Sequence, residues 1–289
     1  MRILETHIVP KVDEKIRLQE YAVSIFKSIP TRSGVKKAIK RGELLLNGRP
    51  AKTSDWIQEG QKLELLKPEL STREFFKLRL PVIFEDEFIA VINKPAGFPT
   101  SGNYFKTIEN ALPLNLKISG ELDALPSPLP AHRLDNPTAG LLICAKTRNS
   151  LSALHLAFDK KEIEKEYTAL VHGITPEKAV FDDPVQGKEA KTRMARLEFY
   201  KIKNDHYSLV KLSPETGRTH QLRIHLASAG TPIVQDELYG KASEFFQNKI
   251  LFLLATGLNF EHPVTKKRIE LQLPLPKRFR KIKDWTAEH

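Results

Sequence analysis

The sequence predicts a mixed α+β protein: a small N-terminal α/β module, then a larger domain built on a mixed, mainly antiparallel β-sheet. Three observations carry that prediction. After Pro81 the chain is dominated by short β-like runs separated by turns, with few helical stretches among them. Those runs do not alternate regularly with helices, as a parallel α/β sheet would require. Before Pro81 the texture differs: two helical patterns and a hairpin signal come first, then a charged, weakly patterned connector. At 289 residues the chain can hold one large domain or two ordinary ones. The expected division is a module over 1–66, a linker over 67–80 and a main domain over 81–289.

Ile16, Leu18, Tyr21, Ala22, Ile25 and Phe26 recur at roughly helical spacing and predict a helix from about Asp13 to Ser28. Thr31–Ser33 offers caps for a second, shorter helix, and Gly42 offers its stop. On that helix Lys36, Lys37, Lys40 and Arg41 share one broad face, while Val35, Ala38 and Ile39 supply the other. Leu44–Leu46 followed by Asn47-Gly48 reads as a strand entering a tight hairpin, because Asn-Gly tolerates positive φ at both turn positions. Lys62–Leu66 supplies a further strand. Beyond the linker, Val82–Phe84 and Phe88–Ile92 flank an acidic turn. Gly97 to Pro130, rich in Gly and Pro, is predicted to be mostly loop, with one short helix near Thr107–Leu112. Leu141–Ala145 reads as a buried strand, Ser150–Phe158 as a helix and Lys165–His172 as a strand. Alternation at Ala195, Leu197 and Phe199 predicts a strand paired with Tyr207–Leu212. Thr219–Ala229, ending at Gly230, predicts a helix, and strands near Leu251–Asn259 and Arg268–Leu273 close the domain.

Composition narrows the function. Hydrophobic residues are 40% and charged residues 28%, the balance of a folded chain. Lys and Arg number 46 against 35 acids, a net charge of +11 that points to a polyanionic partner. The single cysteine, Cys144, excludes an internal disulfide and any multi-cysteine metal site, and its apolar setting reads as core. The start, MRILETHIVPKVDEK, has no apolar signal region, and runs such as Leu251–Ala255 are too short to span a bilayer. The expectation is a reducing cytoplasm and no membrane partner. Charge concentrates between Thr31 and Arg41, where Arg32, Lys36, Lys37, Lys40 and Arg41 occur with no acid. A helix with one basic and one apolar side suits a phosphate backbone. The C-terminal cluster from Lys266 to Lys283 reads as a solvated face.

Several standard chemistries are missing from the sequence: no G-x-S-x-G, H-E-x-x-H, G-x-G-x-x-G or G-x-x-x-x-G-K-[ST] occurs. His220 and His225, five apart, do not share a helix face as metal ligands would. No metal site is expected. Two segments stand out against this background. Asp135, in HRLDNPTAG, either organises the Asn136-Pro137 turn or carries chemistry. Arg223 sits between Leu222 and Ile224 in a segment otherwise built to pack, and a guanidinium held there wants a carboxylate. Asp135 is one candidate for that partner.

HRLDNPTAGLLICAKT resembles the signature around the catalytic aspartate of the RluA-type pseudouridine synthases, usually written HRLD-x-x-T-S-G. NKPAGFPT, from Asn93, looks like the family's "NKP-x-G" motif. KEYTALVHG, from Lys165, is similar to its "K-x-Y-x-A-x-V-x-G" motif, and TGRTHQLRIHLASAGTPIVQDELYG to its C-terminal signature. Helix, basic helix and hairpin, with IKRGELLLNGRP at the junction, resemble the S4 RNA-binding domain over about Asp13–Leu66. The resemblance runs from about Asp13 to Pro276. Ala139 departs from it, standing where the family usually has Ser, and so does Leu254, where "LHA" would place His before Ala255.

The resemblance implies an RNA pseudouridine synthase. Such an enzyme breaks the C1′–N1 bond of a uridine, turns the uracil and joins C5 to C1′. This isomerisation is redox-neutral and demands no cofactor. The target uridine, buried in structured RNA, has to be flipped into a pocket. Asp135 is expected as nucleophile or as the base that starts elimination, and Arg223 as the cation holding it ionised and oriented. Tyr167 is expected to stack on the uracil and help remove the C5 proton. Arg133 is expected to fill the space left by the flipped base, with Arg32, Lys36, Lys37, Lys40 and Arg41 gripping phosphates. One hydrophobic residue of Leu251–Leu254 should wall the uracil. Ribosomal RNA is the favoured partner and transfer RNA the next, with no obligate protein partner implied. The alternative is a non-catalytic RNA-binding or ribosome-assembly factor on the same scaffold; the presence of Asp135, Tyr167 and Arg223 together favours the enzyme.

Overall fold

The computed structural model describes residues 3–12, 14–26, 28–66, 74–240, 246 and 250–282. The chain divides into two units, Met1–Glu74 and Phe75–His289. Part of the 67–80 linker, residues 67–73, lies outside the described residues. Phe76, Leu78 and Leu80 pack into an apolar cluster of the second unit.

In the first unit, Asn47 and Gly48 take positive φ values of 50° and 76°, a turn that Asn and Gly tolerate. They join β2 (Leu44–Leu46) to β3 (Arg49–Pro50), and the Asn47 side chain accepts from the Lys62 backbone N–H at 2.7 Å. With β1 (Ile3–Ile8) and β4 (Lys62–Leu66), these strands form an antiparallel sheet ordered β1-β4-β2-β3. The predicted Asp13–Ser28 helix is shorter in the structure: α1 covers Leu18–Tyr21, and a 3-10 turn over Ala22–Ser24 extends it. Its beginning is claimed by another partner. Arg17 is extended and bridges to Trp56, Leu18 N–H donates to Asp55 O, and Ile57 N–H donates to Ile16 O. Leu18, Ala22 and Phe26 are buried nonetheless. The basic helix α2 spans Arg32–Lys40, and the Thr31 hydroxyl caps it by accepting from Gly34 N–H at 3.0 Å, a contact worth about 1 kcal/mol. Val35, Ala38 and Ile39 are buried, and Lys36, Lys37 and Lys40 are exposed.

The second unit contains β5 (Val82–Glu85), β6 (Ile89–Lys94), α3 (Ile108–Ala111), β7 (Ala124–Pro130), β8 (Ala139–Thr147) and α4 (Arg148–Asp159). These are followed by β9 (Glu164–His172), β10 (Lys178–Phe181), β11 (Thr192–Ile202), β12 (Asp205–Pro214), α5 (Gln221–Ser228), β13 (Leu253–Glu261), β14 (Arg268–Gln272) and α6 (Lys277–Arg280). The sheet runs β10-β11-β12-β9-β13-β8-β6-β5, with β14 beside β13 and β7 beside β8. Strand β8 is buried at every position because both its faces are covered. Leu141, Ile143 and Ala145 enter one apolar cluster while Leu142 and Cys144 enter another, which is why the sequence reads as an unbroken apolar run. Thr147 then caps α4 by accepting from Ser150 N–H at 3.2 Å. The Gly- and Pro-rich stretch predicted as loop contains β7, whose register on β8 shifts between Ala124 and Leu129. Pro126, Pro128 and Pro130 offer no N–H to a ladder, and the strand survives as a short, irregular companion to β8.

One pairing in this sheet is parallel. β13 lies antiparallel to β9 but parallel to β8, through two residue pairs, Leu254 with Ala139 and Ala255 with Gly140. The strands approach very closely there. A Cβ on Gly140, where φ is 122°, would stand 2.3 Å from Ala255 O and 2.5 Å from Ala255 N. The two departures from the family pattern, Ala139 and Leu254, are thus register partners, both buried.

Candidate active site

The Asp135 turn is shaped from beneath by a buried lysine. Lys94, at the end of β6, is fully buried and donates to the carbonyls of Pro95, Asp135, Asn136 and Thr138 at 3.1, 3.2, 3.2 and 2.7 Å. Burial pulls its pKa down to about 7, against the Asp135 carboxylate, which favours the charged form. Thr138 N–H donates to Asp135 O to close the turn, and Gly97 N–H donates to Asn136 O. The Thr100 hydroxyl both donates to Leu134 O and accepts from Leu134 N–H. Asp135 therefore organises a turn and also presents its carboxylate to a cleft.

That cleft measures about 590 Å³ and is lined by Asp135, Tyr167, Arg223 and Leu253, with Arg133 and Lys165 also on its walls. Of the stretch Leu251–Leu254, Leu253 is the residue that faces it. No hydrogen bond from another described residue reaches the Asp135 carboxylate. Arg223 Nη1 stands 4.0 Å from its Oδ2, and His220 Nε2 stands 3.9 Å from its Oδ1. Two cation-capable groups thus face the carboxylate without capping its lone pairs.

Arg223 has a nearer carboxylate than Asp135, the candidate that the sequence offered. Its guanidinium is buried and hydrogen-bonded in bidentate fashion to Asp236, Nε to Oδ2 at 2.7 Å and Nη2 to Oδ1 at 2.6 Å. Asp135 is the more distant second carboxylate. Burial works against both charges of the Arg223–Asp236 pair, but each partner outweighs it: the Arg223 pKa is raised, and the Asp236 carboxyl is held below its usual range. Backbone N–H groups of Leu238 and Tyr239 also donate to Asp236. The Tyr239 ring lies over the guanidinium at 5.1 Å, and its hydroxyl meets His220 Nδ1 at 3.0 Å. His220 has a left-handed backbone, φ 57° and ψ 19°, at the head of α5.

Helix α5 is anchored by Gln221. Its Oε1 accepts from the Thr216 hydroxyl and Arg218 N–H, and its Nε2 donates to Lys191 O and the Thr192 hydroxyl. On β9, Tyr167 faces the cleft from between β12 and β13. Burial, then the nearby Asp135 carboxylate, raises its pKa. Burial thus favours the neutral phenol. His132, beside Arg133, accepts from Ile143 N–H at 3.0 Å; burial, then Lys165, pushes its pKa down to about 3, so it is neutral.

The structure brings Asp135, Tyr167, Arg223 and Arg133 to one cleft. The cations of α2 lie in the first unit, where Arg32 pairs with Glu20 at 2.8 Å and Arg41 with Glu43 at 3.7 Å. Sequence reasoning missed Lys94, His220, Asp236 and Tyr239. All four stand inside the quoted motifs, but nothing in their spacing reveals that a loop carbonyl cage or a second carboxylate awaits them. Among the described residues no helix is long and apolar enough to cross a membrane.

The chain is similar to known proteins along its whole length. The RNA pseudouridylate synthase family matches residues 88–228. An uncharacterized RNA pseudouridine synthase of Aquifex aeolicus is 31% identical over 320 residues, covering 100% of this chain and 99% of the relative. A ribosomal large subunit pseudouridine synthase C of Buchnera aphidicola is 31% identical, covering 90% of each chain. The solved structure of human RNA pseudouridylate synthase domain containing 4 shares the fold, with a TM-score of 0.58 at 24% identity, over 72% of this chain and 93% of that one.

Proposed function

Because the chain belongs to the RNA pseudouridine synthase family, of the RluA type, and is an RNA-modifying isomerase, we propose that it acts on ribosomal RNA through Asp135. The observation that carries the residue assignment is the Asp135 carboxylate in the cleft, free of hydrogen bonds from other described residues and facing Arg223 Nη1 at 4.0 Å. An opposite charge at that range favours the carboxylate form and leaves its lone pairs available. The carboxylate attacks C1′ of the flipped uridine, or removes a proton from the sugar to start elimination; either way the C1′–N1 bond breaks. The freed uracil turns and C5 bonds to C1′, as Asp135 either leaves C1′ in the first route or returns its proton to the sugar in the second; C5 then gives up its proton and N1 takes one, so the product is an isomer of the substrate. Tyr167 stacks on the uracil and Leu253 walls it. Arg133, exposed on the cleft rim, fills the gap in the RNA helix.

The ribosomal target draws support from the name of the Buchnera relative. The first unit is an S4-like RNA-binding domain, supported by the exposed Lys36, Lys37 and Lys40 on one side of α2. Phosphate contacts of that kind add affinity with little sequence discrimination. The test is tritium release from C5-tritiated uridine in ribosomal and transfer RNA transcripts, with wild type beside Asp135→Asn. Wild type should release tritium from ribosomal RNA, and Asp135→Asn should bind the RNA and release none. Release by Asp135→Asn near the wild-type rate overturns the assignment of the residue.

A further inference from the structure

Lys165 lies two residues before Tyr167 on β9, so both side chains leave the strand on the same face, about 6.6 Å apart. Both line the cleft. The Lys165 ammonium is held between the cleft's two walls. Its Nζ is 3.9 Å from the place a Cβ would take on Gly217, and its charge is felt by His132 on the opposite segment.

No acid meets it there. Among the described residues Lys165 makes no hydrogen bond or ion pair. Glu215, on the same cleft, is taken by Arg193 at 2.6 Å and Lys191 at 3.3 Å. Asp135 faces His220 and Arg223. Burial lowers the Lys165 pKa, and no carboxylate restores it. A half-buried ammonium without a counterion costs stability, and it is tolerated where an anion arrives to complete it.

We propose that Lys165 is a phosphate-binding residue: it takes the phosphodiester flanking the flipped uridine whose base rests on Tyr167. The proposal depends on reading the cleft as a uridine pocket. A base on Tyr167 and a phosphate on Lys165 are separated by one strand repeat, a span that a single nucleotide covers. Lysine suits this task because its three donors turn to meet phosphate oxygens without a fixed fork. The ammonium would thereby fix the depth at which the nucleotide enters and set its sugar over Asp135.

The test titrates full-length protein with uridine and with uridine 5′- and 3′-monophosphate, for wild type, Lys165→Met and Lys165→Arg. Wild type should bind one of the monophosphates about tenfold more tightly than uridine. Lys165→Met should erase that preference while leaving uridine affinity unchanged, and Lys165→Arg should restore most of it. Thermal unfolding of each variant establishes that it folds; the methionine removes an unpaired, half-buried charge and should not destabilise. A preference that persists in Lys165→Met, or that is absent in wild type, overturns the proposal. So does an equal loss for uridine and its monophosphates, which would place the ammonium on the base. Tritium release on the same preparations separates this proposal from the functional reading. Asp135→Asn should abolish release and keep the phosphate preference, whereas a wild type that releases no tritium yet shows a Lys165-dependent preference would sink the reaction alone.

Discussion

Replacing Gly140 by alanine tests whether the close approach of β8 and β13 holds the site together. The added Cβ would stand 2.3 Å from Ala255 O, where ordinary contact begins at 3.4 Å, so the strands must part by about 1 Å. The opposing atoms are backbone and cannot rotate away. A side chain forced to positive φ costs roughly 1–3 kcal/mol, and overpacking adds roughly 1–3 kcal/mol, for a loss of about 2–6 kcal/mol. Catalysis should suffer separately. Asp135 lies on the loop feeding β8, and Tyr167 lies on β9 across β13, so a 1 Å shift misaligns them and lowers the single-turnover rate on the order of 100-fold. Gly187→Ala is the control: its φ is 71° with nothing within 4 Å of the new Cβ, so it pays the backbone cost alone, about 1–2 kcal/mol. Urea unfolding and tritium release measure the two quantities. Equal stability losses for Gly140→Ala and Gly187→Ala, or a Gly140→Ala rate within threefold of wild type, refute the reasoning. Ala255→Gly should not rescue Gly140→Ala, because the clash is not with a side chain.

Three further expectations follow from other parts of the molecule. Asp236→Asn leaves the buried Arg223 guanidinium without its bidentate carboxylate and should cost about 3–5 kcal/mol in urea unfolding, together with most of the activity; a loss below 1 kcal/mol would show that Asp135 compensates. For Lys94, the folded protein releases the ammonium proton from about pH 7 while the unfolded chain keeps it to about 10.5, so between those values the unfolded state binds more protons and stability rises with pH. Relative to Lys94→Met, wild type should therefore gain up to about 5 kcal/mol from pH 7 to pH 10.5, and a flat difference curve contradicts the burial argument. The triple variant Lys36→Gln/Lys37→Gln/Lys40→Gln should reduce the dependence of log Kd on log salt by about 2–3, leaving unfolding unchanged; an unaltered slope removes α2 from the RNA interface.

What was legible in the sequence was whatever local chemistry decides. Asn47-Gly48 specified its turn because few residues accept that backbone, and α2 was readable from Thr31, its cap, and from the alternation of buried Val35, Ala38 and Ile39 with exposed lysines. Asp135 was legible as a site residue only through the family resemblance, because the turn that presents it is held by Lys94, Gly97 and Thr100 from a distant part of the chain. Interactions between distant segments were not readable. The start of the first helix lost to pairing with the chain near Trp56, and β1, an edge strand with no buried alternation, left no pattern to detect. Asp236 could not be chosen over Asp135 as the partner of Arg223, since both are carboxylates and only the fold decides which comes within 2.7 Å. β7 was hidden by its prolines, which read as loop unless the neighbouring strand is known.

The order in which the sheet is assembled has its own consequence. Asp135 belongs to the half built from β6 and β8, whereas Tyr167 and Arg223 belong to the half that follows, and β13 is the plank laid between β8 and β9. That plank begins at Leu253, near the end of the chain, yet it occupies the middle of the sheet. Both halves of the reaction centre precede, along the chain, the strand that joins them. Asp135 and Tyr167 are thus brought together only when β13 pairs with both β8 and β9, so the reaction centre is a product of the sheet's long-range closure and not of either half alone.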